Sequence, residues 1–288
     1  GPNGFLDDNK TRYPVVLETA APGTGEWRAI CEPGFGDPDN VSVNEIAIFN
    51  DRLYAATLNP RRGFQIWCTE GAGAPPYRWD CVLRDGAERG PASSIPTAMA
   101  VFDGALYVAA SIQRQGRNAL DTRGPFPAEL VRMHSDGHWD IVSGEPRFTS
   151  DGYKRPVSGY SAGFGSRYTH LVWDMARYDR QLYVGCAEWR WLPTYLSNRT
   201  DISDRQRRRL RLETLAYQGG EFALWRSGDG LTWEPVTRSG LPGAHAENYG
   251  ISALIGTPVG LFVVAAARSA AGADSGIRLW WGHKDFGP

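Results

Sequence analysis

Acidic and imidazole side chains stand at the beginnings of similar apolar segments along the chain. Segments beginning SVNEIA, HLVWDMA and HAENYGISA carry Glu45, Asp174 and Glu247, together with His170 and His245. Carboxylates that meet at one axis repel one another unless a cation, a proton or a cationic substrate lies among them. All of these residues are therefore candidate catalytic groups, with a salt bridge or hydrogen bond between neighbouring elements as the structural alternative.

A divalent cation is one way to hold the acids together. Oxygen ligands suit Ca²⁺ or Mg²⁺, whereas the imidazoles favour a transition metal or acid/base chemistry near neutral pH. We therefore predict that Glu45, Asp174 and Glu247 either bind a divalent cation or exchange protons directly.

A second group of candidates lies around the stretch EWRWLPTY, which begins at Glu188. Aromatic planes beside Arg and Glu can stack on a flat substrate or a sugar ring. Packing of the same aromatic rings, which a long loop needs as an anchor, explains them equally well. The candidate substrate-binding residues are Tyr168, Glu188, Trp189, Arg190, Trp191, Tyr195, Asn248 and Tyr249.

A repeated scaffold has to position these residues. The hairpin IAIFNDRLYAAT recurs as MAVFDGALYVAA, MARYDRQLYVGC and ALIGTPVGLFVVA, and second hairpins follow whose last strands open on Trp79, Trp139 and Trp233. After the last repeat, IRLWWGHKD has no partner strand, whereas GEWRAICEPGFGD near the N-terminus has the same Trp opening. The pattern predicts an all-β fold, a single β-propeller of four blades with five left open. The N-terminal strand would complete the last blade and remove a free edge.

Two turns carry a family resemblance. SGDGLTW (227–233) and HSDGHW (134–139) resemble the Asp-box turn of BNR/sialidase-type propeller repeats, shortened by a residue or two. The resemblance implies the propeller fold and a structural turn in which Asp caps backbone N–H groups and Gly supplies a positive φ. It implies no sialidase chemistry, because the chain has no Arg-Ile-Pro segment.

The long connections of the predicted blades emerge on one face. We expect residues 1–288 to form one domain, with an N-terminal extension over 1–24 and a helical, lid-like insertion over 187–220. Within that insertion TDISDRQRRRLRLETLAYQ predicts a helix capped by Asp201 or Ser203. Long loops on a rigid scaffold usually carry function, and these loops differ from one another, so one asymmetric site is expected at the channel mouth.

Composition excludes several classes of partner. With 31 basic and 32 acidic side chains and a net charge of -1, the chain has no field suited to nucleic acid or an anionic membrane. No apolar run approaches the roughly 20 residues of a membrane span. We expect a soluble protein, cytoplasmic or secreted, without a nucleotide cofactor, since P-loop and Rossmann motifs are absent. The sequence leaves its oligomeric state open.

The chain has four cysteines without zinc-site spacing. Two of them, Cys68 and Cys81, flank one turn. They form either a disulfide or a pair of buried thiols.

Together these features predict a propeller enzyme that acts on a small organic or sugar-like molecule at one site. Acid/base or metal-assisted chemistry would make it a hydrolase, lyase or cyclase. The alternative is a non-catalytic propeller that binds carbohydrate or protein, in the manner of a lectin.

Overall fold

The computed structural model describes residues 13–112, 126–188, 203–215, 222–244, 248–267 and 277–283. The chain divides into two compact units. The first contains the described residues of 1–113, 131–140 and 147–154, and the second contains those of 114–130, 141–146 and 155–288. The prediction of one domain over the whole chain stays a prediction.

Short antiparallel strands make up most of the described chain. Their bounds are β1 Leu17–Glu18, β2 Arg28–Ala29, β3 Ser42–Phe49, β4 Arg52–Leu58, β5 Gln65–Thr69, β6 Asp80–Leu83, β7 Ile95–Phe102, β8 Ala105–Ser111, β9 Glu129–His134, β10 Trp139–Ser143, β11 Arg147–Thr149, β12 Gly152–Lys154, β13 Thr169–Tyr178, β14 Gln181–Glu188, β15 Leu224–Ser227, β16 Glu234–Thr237, β17 Asn248–Thr257, β18 Gly260–Ala267 and β19 Arg278–Gly282.

Consecutive strands pair in chain order, as in propeller blades. In the first blade the order is β3-β4-β5-β6, and in the second it is β7-β8-β9-β10. A third blade consists of β13, β14, β15 and β16, and β17, β18 and β19 follow as three paired strands. These sheets confirm the predicted class, an all-β β-propeller fold, and they coincide with the repeated hairpins; the number of blades stays a prediction.

The N-terminal strand differs from the prediction that it completes the last blade. β2 pairs with β1, with Ala29 opposite Leu17. The carbonyl of Ile30 accepts hydrogen bonds from the backbone N–H of Tyr77 and from Trp79 Nε1, both at 2.9 Å. Ile30 is also buried in an apolar cluster of the first blade. Burial of this apolar residue therefore attaches the segment to the first blade, and the predicted closure is corrected.

In the second unit, the third blade and the last three strands pack closely. β13 and β17 lie side by side, and the backbone of Ala187 in β14 forms a bridge to Gly250 in β17. A Cβ at Gly250 would lie 2.5 Å from the Cβ of Ala187, so only glycine permits this approach. Phe222 and Ile251, both fully buried, belong to the apolar cluster that joins these strands.

The turn that resembles an Asp-box has the expected geometry. The Asp229 carboxylate accepts hydrogen bonds from the backbone N–H groups of Leu231 at 2.8 Å and Thr232 at 2.7 Å. Burial by itself raises the pKa of Asp229, but these amide bonds outweigh it and the pKa is lowered. Gly230 adopts a φ of 69°. The turn chemistry agrees with the prediction, while membership of the BNR repeat family is unconfirmed.

The predicted helix is present over Asp204–Leu215. Ser203 caps it: the backbone N–H of Gln206 bonds to the Ser203 hydroxyl, and the Gln206 side chain accepts from the Ser203 backbone N–H at 3.0 Å. This reciprocal pair is a capping box. No helix in the described part of the chain has both the length and the hydropathy that a membrane crossing requires.

The cysteines are free thiols. Cys68 lies opposite Asp80, whereas Cys81 lies opposite Trp67, so the two thiols project from opposite faces of the sheet. Burial raises the pKa of the Cys81 thiol to about 11. The disulfide alternative is therefore incorrect, because the register separates the two side chains.

Candidate functional site

A polar cavity opens at one edge of the third blade. The strands β13 and β15 begin at this edge, and β14 and β16 end there. It has a volume of about 350 Å³. Its lining residues are Gly163, Phe164, Gly165, Ser166, Arg167, Tyr168, Thr169, Glu188, Ala223, Trp225 and Arg238. The cavity lies at the edge where the sequence places the long loops of this blade.

One side of the cavity is a left-handed turn. Gly163, Phe164 and Gly165 have φ values of 68°, 53° and 82°. A Cβ at Gly163 would lie 2.9 Å from the side chain of Pro127, so glycine is required there on steric grounds as well as conformational ones.

Aromatic packing holds Phe164 in this strained conformation. Its ring stacks on Trp225 with centroids 4.8 Å apart and planes 15° from parallel, and it lies 5.4 Å from Trp233. A positive φ costs a non-glycine residue roughly 1–3 kcal/mol, so surrounding contacts have to offset it. Both tryptophans are buried, and the stack therefore fixes the wall of the cavity.

The first blade contains the same aromatic arrangement. Phe35 follows Gly34 in a left-handed turn, stacks on Trp67 at 5.3 Å and contacts Trp79 edge to face at 5.0 Å. Residues 34–59 align with 163–188 without a gap, and both segments carry a bulge at the same place. The two blades can therefore be compared position by position.

In the first blade a hydrogen-bond network fills the space that corresponds to the cavity. Gln65 Oε1 accepts from Asn40 Nδ2 at 2.9 Å and from Trp67 Nε1 at 3.0 Å, and Gln65 Nε2 donates to Asp37 at 2.7 Å. Asn59 Nδ2 donates to Asn40 at 3.1 Å. Polar groups in this site satisfy one another within the protein.

In the third blade four of these positions are different. Ala223 stands where the first blade has Gln65, and Ser166, Thr169 and Glu188 replace Asp37, Asn40 and Asn59 in that order. The short Ala223 side chain removes the amide that closes the network. The cavity is therefore the result of a substitution within a repeated scaffold.

Glu188 is the carboxylate that lines this cavity in the described part of the chain. Its side chain is 1% exposed, and Thr169 Oγ1 donates a hydrogen bond to Glu188 Oε1 at 2.5 Å. Burial, with a further contribution from the Glu188 charge, raises the pKa of the Cys186 thiol well above its usual value. A buried carboxylate facing a cavity can exchange a proton with a ligand or accept hydrogen bonds from its hydroxyl groups.

Two arginines lie at the exposed side of the cavity. The guanidinium of Arg238 lies 4.9 Å from the ring centre of Trp225, and that of Arg167 lies 5.2 Å from the ring centre of Tyr168. Both arginines are exposed, whereas Trp225 is buried. Cation–π contact holds such a guanidinium over the ring.

The structure brings two of the predicted substrate-binding residues, Tyr168 and Glu188, to the same cavity. His170 does not line it. The His170 side chain is 3% exposed, and its ring interacts with the backbone of Tyr168 and Ala187. Burial lowers the pKa of His170 well below the usual imidazole value, although the backbone interactions raise it. A catalytic role for His170 stays a prediction.

Asp174 also contacts backbone. Its Oδ2 accepts from the N–H of Leu254 at 2.7 Å, and its Oδ1 accepts from the N–H of Met175 at 2.8 Å. Burial raises the pKa of Asp174, and the two amide bonds only partly reverse that effect. The interaction connects β13 to β17, which matches the structural alternative stated for this residue.

Glu45 is half-buried in the first unit, whereas Asp174 belongs to the second. The described residues contain no group of three His, Cys, Asp or Glu side chains arranged to hold a metal ion. Each oxygen of Asp174 accepts one backbone hydrogen bond, which holds this carboxylate against the backbone of Leu254 and Met175. The divalent cation stays a prediction.

The remaining candidates lie at β17 or outside the described residues. Asn248 is buried at the start of β17, and the ring of Tyr249 lies 5.8 Å from that of Trp173. Neither residue lines the cavity described above. Outside the described residues are Trp189, Arg190, Trp191, Tyr195, His245 and Glu247.

No family model matches the chain, and no curated protein matches it. Solved structures of sugar hydrolases are similar in fold. An α-L-arabinanase of Cellvibrio cellulosa has a TM-score of 0.40 at 12% identity, covering 83% of this chain and 76% of its own. A GH43 β-xylosidase/α-arabinofuranosidase from a compost microbial metagenome, in complex with xylotriose, has a TM-score of 0.40 at 12% identity, covering 96% and 82%.

A Bombyx mori GH32 β-fructofuranosidase in complex with sucrose has a TM-score of 0.39 at 12% identity and covers 89% of this chain. The chain spans half the length of that enzyme. At such identities the activity of this chain has to be argued from its own site.

Several cavity residues were not among the sequence candidates, notably Thr169, Ala223, Trp225 and Arg238. The signal that identifies them is present in the sequence. The stretches PGFG and AGFG recur before FQIW and FALW, and the last two differ by the replacement of Gln65 by Ala223 and of Ile66 by Leu224. Alignment of the two blades, rather than a search for catalytic motifs, finds the cavity.

Proposed function

We propose that the cavity of the third blade binds a small, polar, sugar-like molecule and that Glu188 exchanges a proton with it during hydrolysis. The observation that carries this proposal is a carboxylate, 1% exposed, facing a cavity of about 350 Å³ with a hydroxyl donor at 2.5 Å. Ligand sites in proteins are commonly concave and of about 300–1,000 Å³, with a few convergent polar groups.

The lining suits a ligand rich in hydroxyl groups. Ser166, Tyr168 and Thr169 can each donate and accept hydrogen bonds, and Glu188 can accept them. The stacked Phe164 and Trp225 form a rigid wall behind these polar groups. A rigid wall reduces the entropy lost on binding, which favours one defined orientation of the ligand.

In the proposed reaction the oxygen of water forms a bond to a carbon of the bound molecule, and the bond from that carbon to the leaving oxygen breaks. Protonated Glu188 gives its proton to the leaving oxygen and, once ionised, takes up a proton from the attacking water, so it returns to its starting state. General acid/base catalysis of this kind contributes about 10²–10⁴-fold in rate.

The experiment is a screen of 4-nitrophenyl glycosides of pentoses, hexoses and hexuronic acids against the wild type, Glu188→Gln and Glu234→Gln. Glu234 is the matched control, because it is an exposed acid of the same blade that pairs with Arg226 at 2.7 Å. We expect hydrolysis of at least one glycoside by the wild type and by Glu234→Gln, and a loss of about 100-fold or more in Glu188→Gln. Equal turnover in all three proteins would rule out the role of Glu188.

A second candidate function is carbohydrate binding without catalysis. It is favoured by the single carboxylate among the described lining residues, because glycoside hydrolysis ordinarily uses a pair of them. A binding protein of this kind would retain free sugars or their methyl glycosides and would hydrolyse none of the chromogenic substrates. Isothermal titration with the same sugars, run beside the kinetic screen, separates the two functions.

A further inference from the structure

Arg238 differs from the other arginine of its strand pair. Arg226 in β15 forms an ion pair with Glu234 at 2.7 Å. Arg238 follows β16, lines the cavity and contacts the ring of Trp225. Among the residues that the structure describes, no carboxylate lies within ion-pair distance of its guanidinium. An arginine that contacts a ring and has no acid partner among the described residues is suited to receive an anion from outside the protein.

The described residues that line the cavity carry charges of both signs: Arg167 and Arg238 are basic, and Glu188 is acidic. Charge complementarity between a site and its ligand contributes to specificity.

The two signs of charge also occupy different depths. Glu188 is almost fully buried, whereas Arg238 is exposed. A ligand anion placed beside Arg238 is therefore at the open side of the cavity, and the hydroxyl groups of the same ligand face Thr169 and Glu188. This arrangement avoids placing two carboxylates next to each other in a buried site.

We propose that the molecule bound in this cavity is a sugar acid, and that Arg238 recognises its carboxylate. The inference rests on the proposed function, because it names the substrate class of the same cavity. A planar guanidinium matches a carboxylate with two parallel hydrogen bonds, which a neutral hydroxymethyl group cannot accept in the same way.

The test uses two matched pairs of probes, glucuronate with glucose and galacturonate with galactose, as their methyl glycosides. Their dissociation constants are measured by isothermal titration against the wild type, Arg238→Gln and Arg84→Gln. Arg84 is the matched control, because it stands five residues after Trp79 as Arg238 stands five after Trp233, and it does not line the cavity.

We expect the wild type and Arg84→Gln to bind at least one uronide about tenfold or more tightly than its neutral partner, about 1.4 kcal/mol. Arg238→Gln should lose that preference while it still binds the neutral sugar. Glucose 6-phosphate and inorganic phosphate are included, and stronger binding of either than of both uronides would overturn the carboxylate assignment.

The remaining outcomes separate this inference from the proposed function. Equal affinity for the neutral sugars and the uronides would refute the inference. If Ala223→Gln also lost that affinity, the cavity would still be the sugar-binding site. A uronide preference that persists in Arg238→Gln would refute the role of Arg238. Failure of every sugar probe to bind would overturn the proposed function, and this inference with it.

Discussion

Replacement of Ala223 by Gln should close the cavity of the third blade without unfolding the sheet. The change copies the first blade, where Gln65 fills the corresponding space and bonds to Asn40, Asp37 and Trp67. In the third blade the new amide would reach the space beside Thr169 and Glu188 that a ligand needs.

The expected change in stability is small. Burying the added methylene contributes about 0.8 kcal/mol, and one hydrogen bond of the amide contributes about 1 kcal/mol. Fixing the Gln side chain costs up to about 2 kcal/mol. The sum lies near zero, so Tm should move by no more than about 2–4 °C, the shift expected for about 1 kcal/mol. Ligand affinity should fall by about tenfold or more, which is about 1.4 kcal/mol.

The assay combines urea unfolding, followed by circular dichroism, with isothermal titration of the sugar that binds the wild type most tightly. Gln65→Ala is the matched reverse change in the first blade. It removes the acceptor of Asn40 Nδ2 and Trp67 Nε1 and a donor to Asp37, although Asn40 Nδ2 keeps its bond to the Gly34 carbonyl and Asp37 keeps its bond from Asn59. The loss of three hydrogen bonds should lower the free energy of unfolding by about 2 kcal/mol or more. Wild-type affinity in Ala223→Gln would refute the cavity as the binding site, and a loss of more than about 3 kcal/mol would refute the comparison of the blades.

Phe164→Ala and Phe35→Ala should each lower the free energy of unfolding by about 3–5 kcal/mol in urea titrations, because both rings are buried against two tryptophans; a loss below about 1 kcal/mol would contradict the packing. Asp140→Asn should cost about 1–3 kcal/mol at pH 7. Burial raises the pKa of Asp140, but bonds from His and Arg side chains of its hairpin lower it overall. The stabilisation from ionised Asp140 is thus fully present above the usual carboxyl pKa and is lost as the pH falls through the lowered pKa of the folded protein. The free energies of unfolding of the wild type and Asp140→Asn should therefore converge below about pH 4. Cys68 and Cys81 should each react with a thiol reagent in unfolded protein kept in air; a cross-linked peptide in mass spectrometry would contradict the register.

Much of the scaffold follows from the sequence, because the hairpin periodicity and the Trp opening of the outer strands repeat. Buried Trp139 and Trp233 lie where the repeat places them. The Asp229 turn and the Ser203 cap are also predictable, since each depends on side chains only a few residues from the backbone groups they bond.

The features that the sequence does not predict depend on contacts between distant segments, which a sequence pattern does not fix. A register difference of one residue places Cys68 and Cys81 on opposite faces of the sheet. The same limitation affects Asp174, whose carboxylate bonds to the backbone of Leu254 eighty residues away. The position of His170 at a strand start makes it a candidate base, but that position does not reveal that the side chain is buried and does not line the cavity.

The N-terminal strand could pack against either the last blade or the first blade. Its Trp opening favours the last blade, but Ile30 and Val16 gain burial and backbone bonds against the first. Sequence similarity to a strand of the repeat does not measure that competition, because it ignores the apolar surface available at each location.

The most direct test of the account is a crystal structure of the protein soaked with the sugar that binds most tightly in the titrations. The account predicts electron density for that sugar in the cavity of the third blade, within hydrogen-bond distance of Glu188 and Thr169. Density elsewhere with the cavity free of it, for example against the exposed Phe148 and Tyr153 rings of the β11–β12 hairpin, would contradict it.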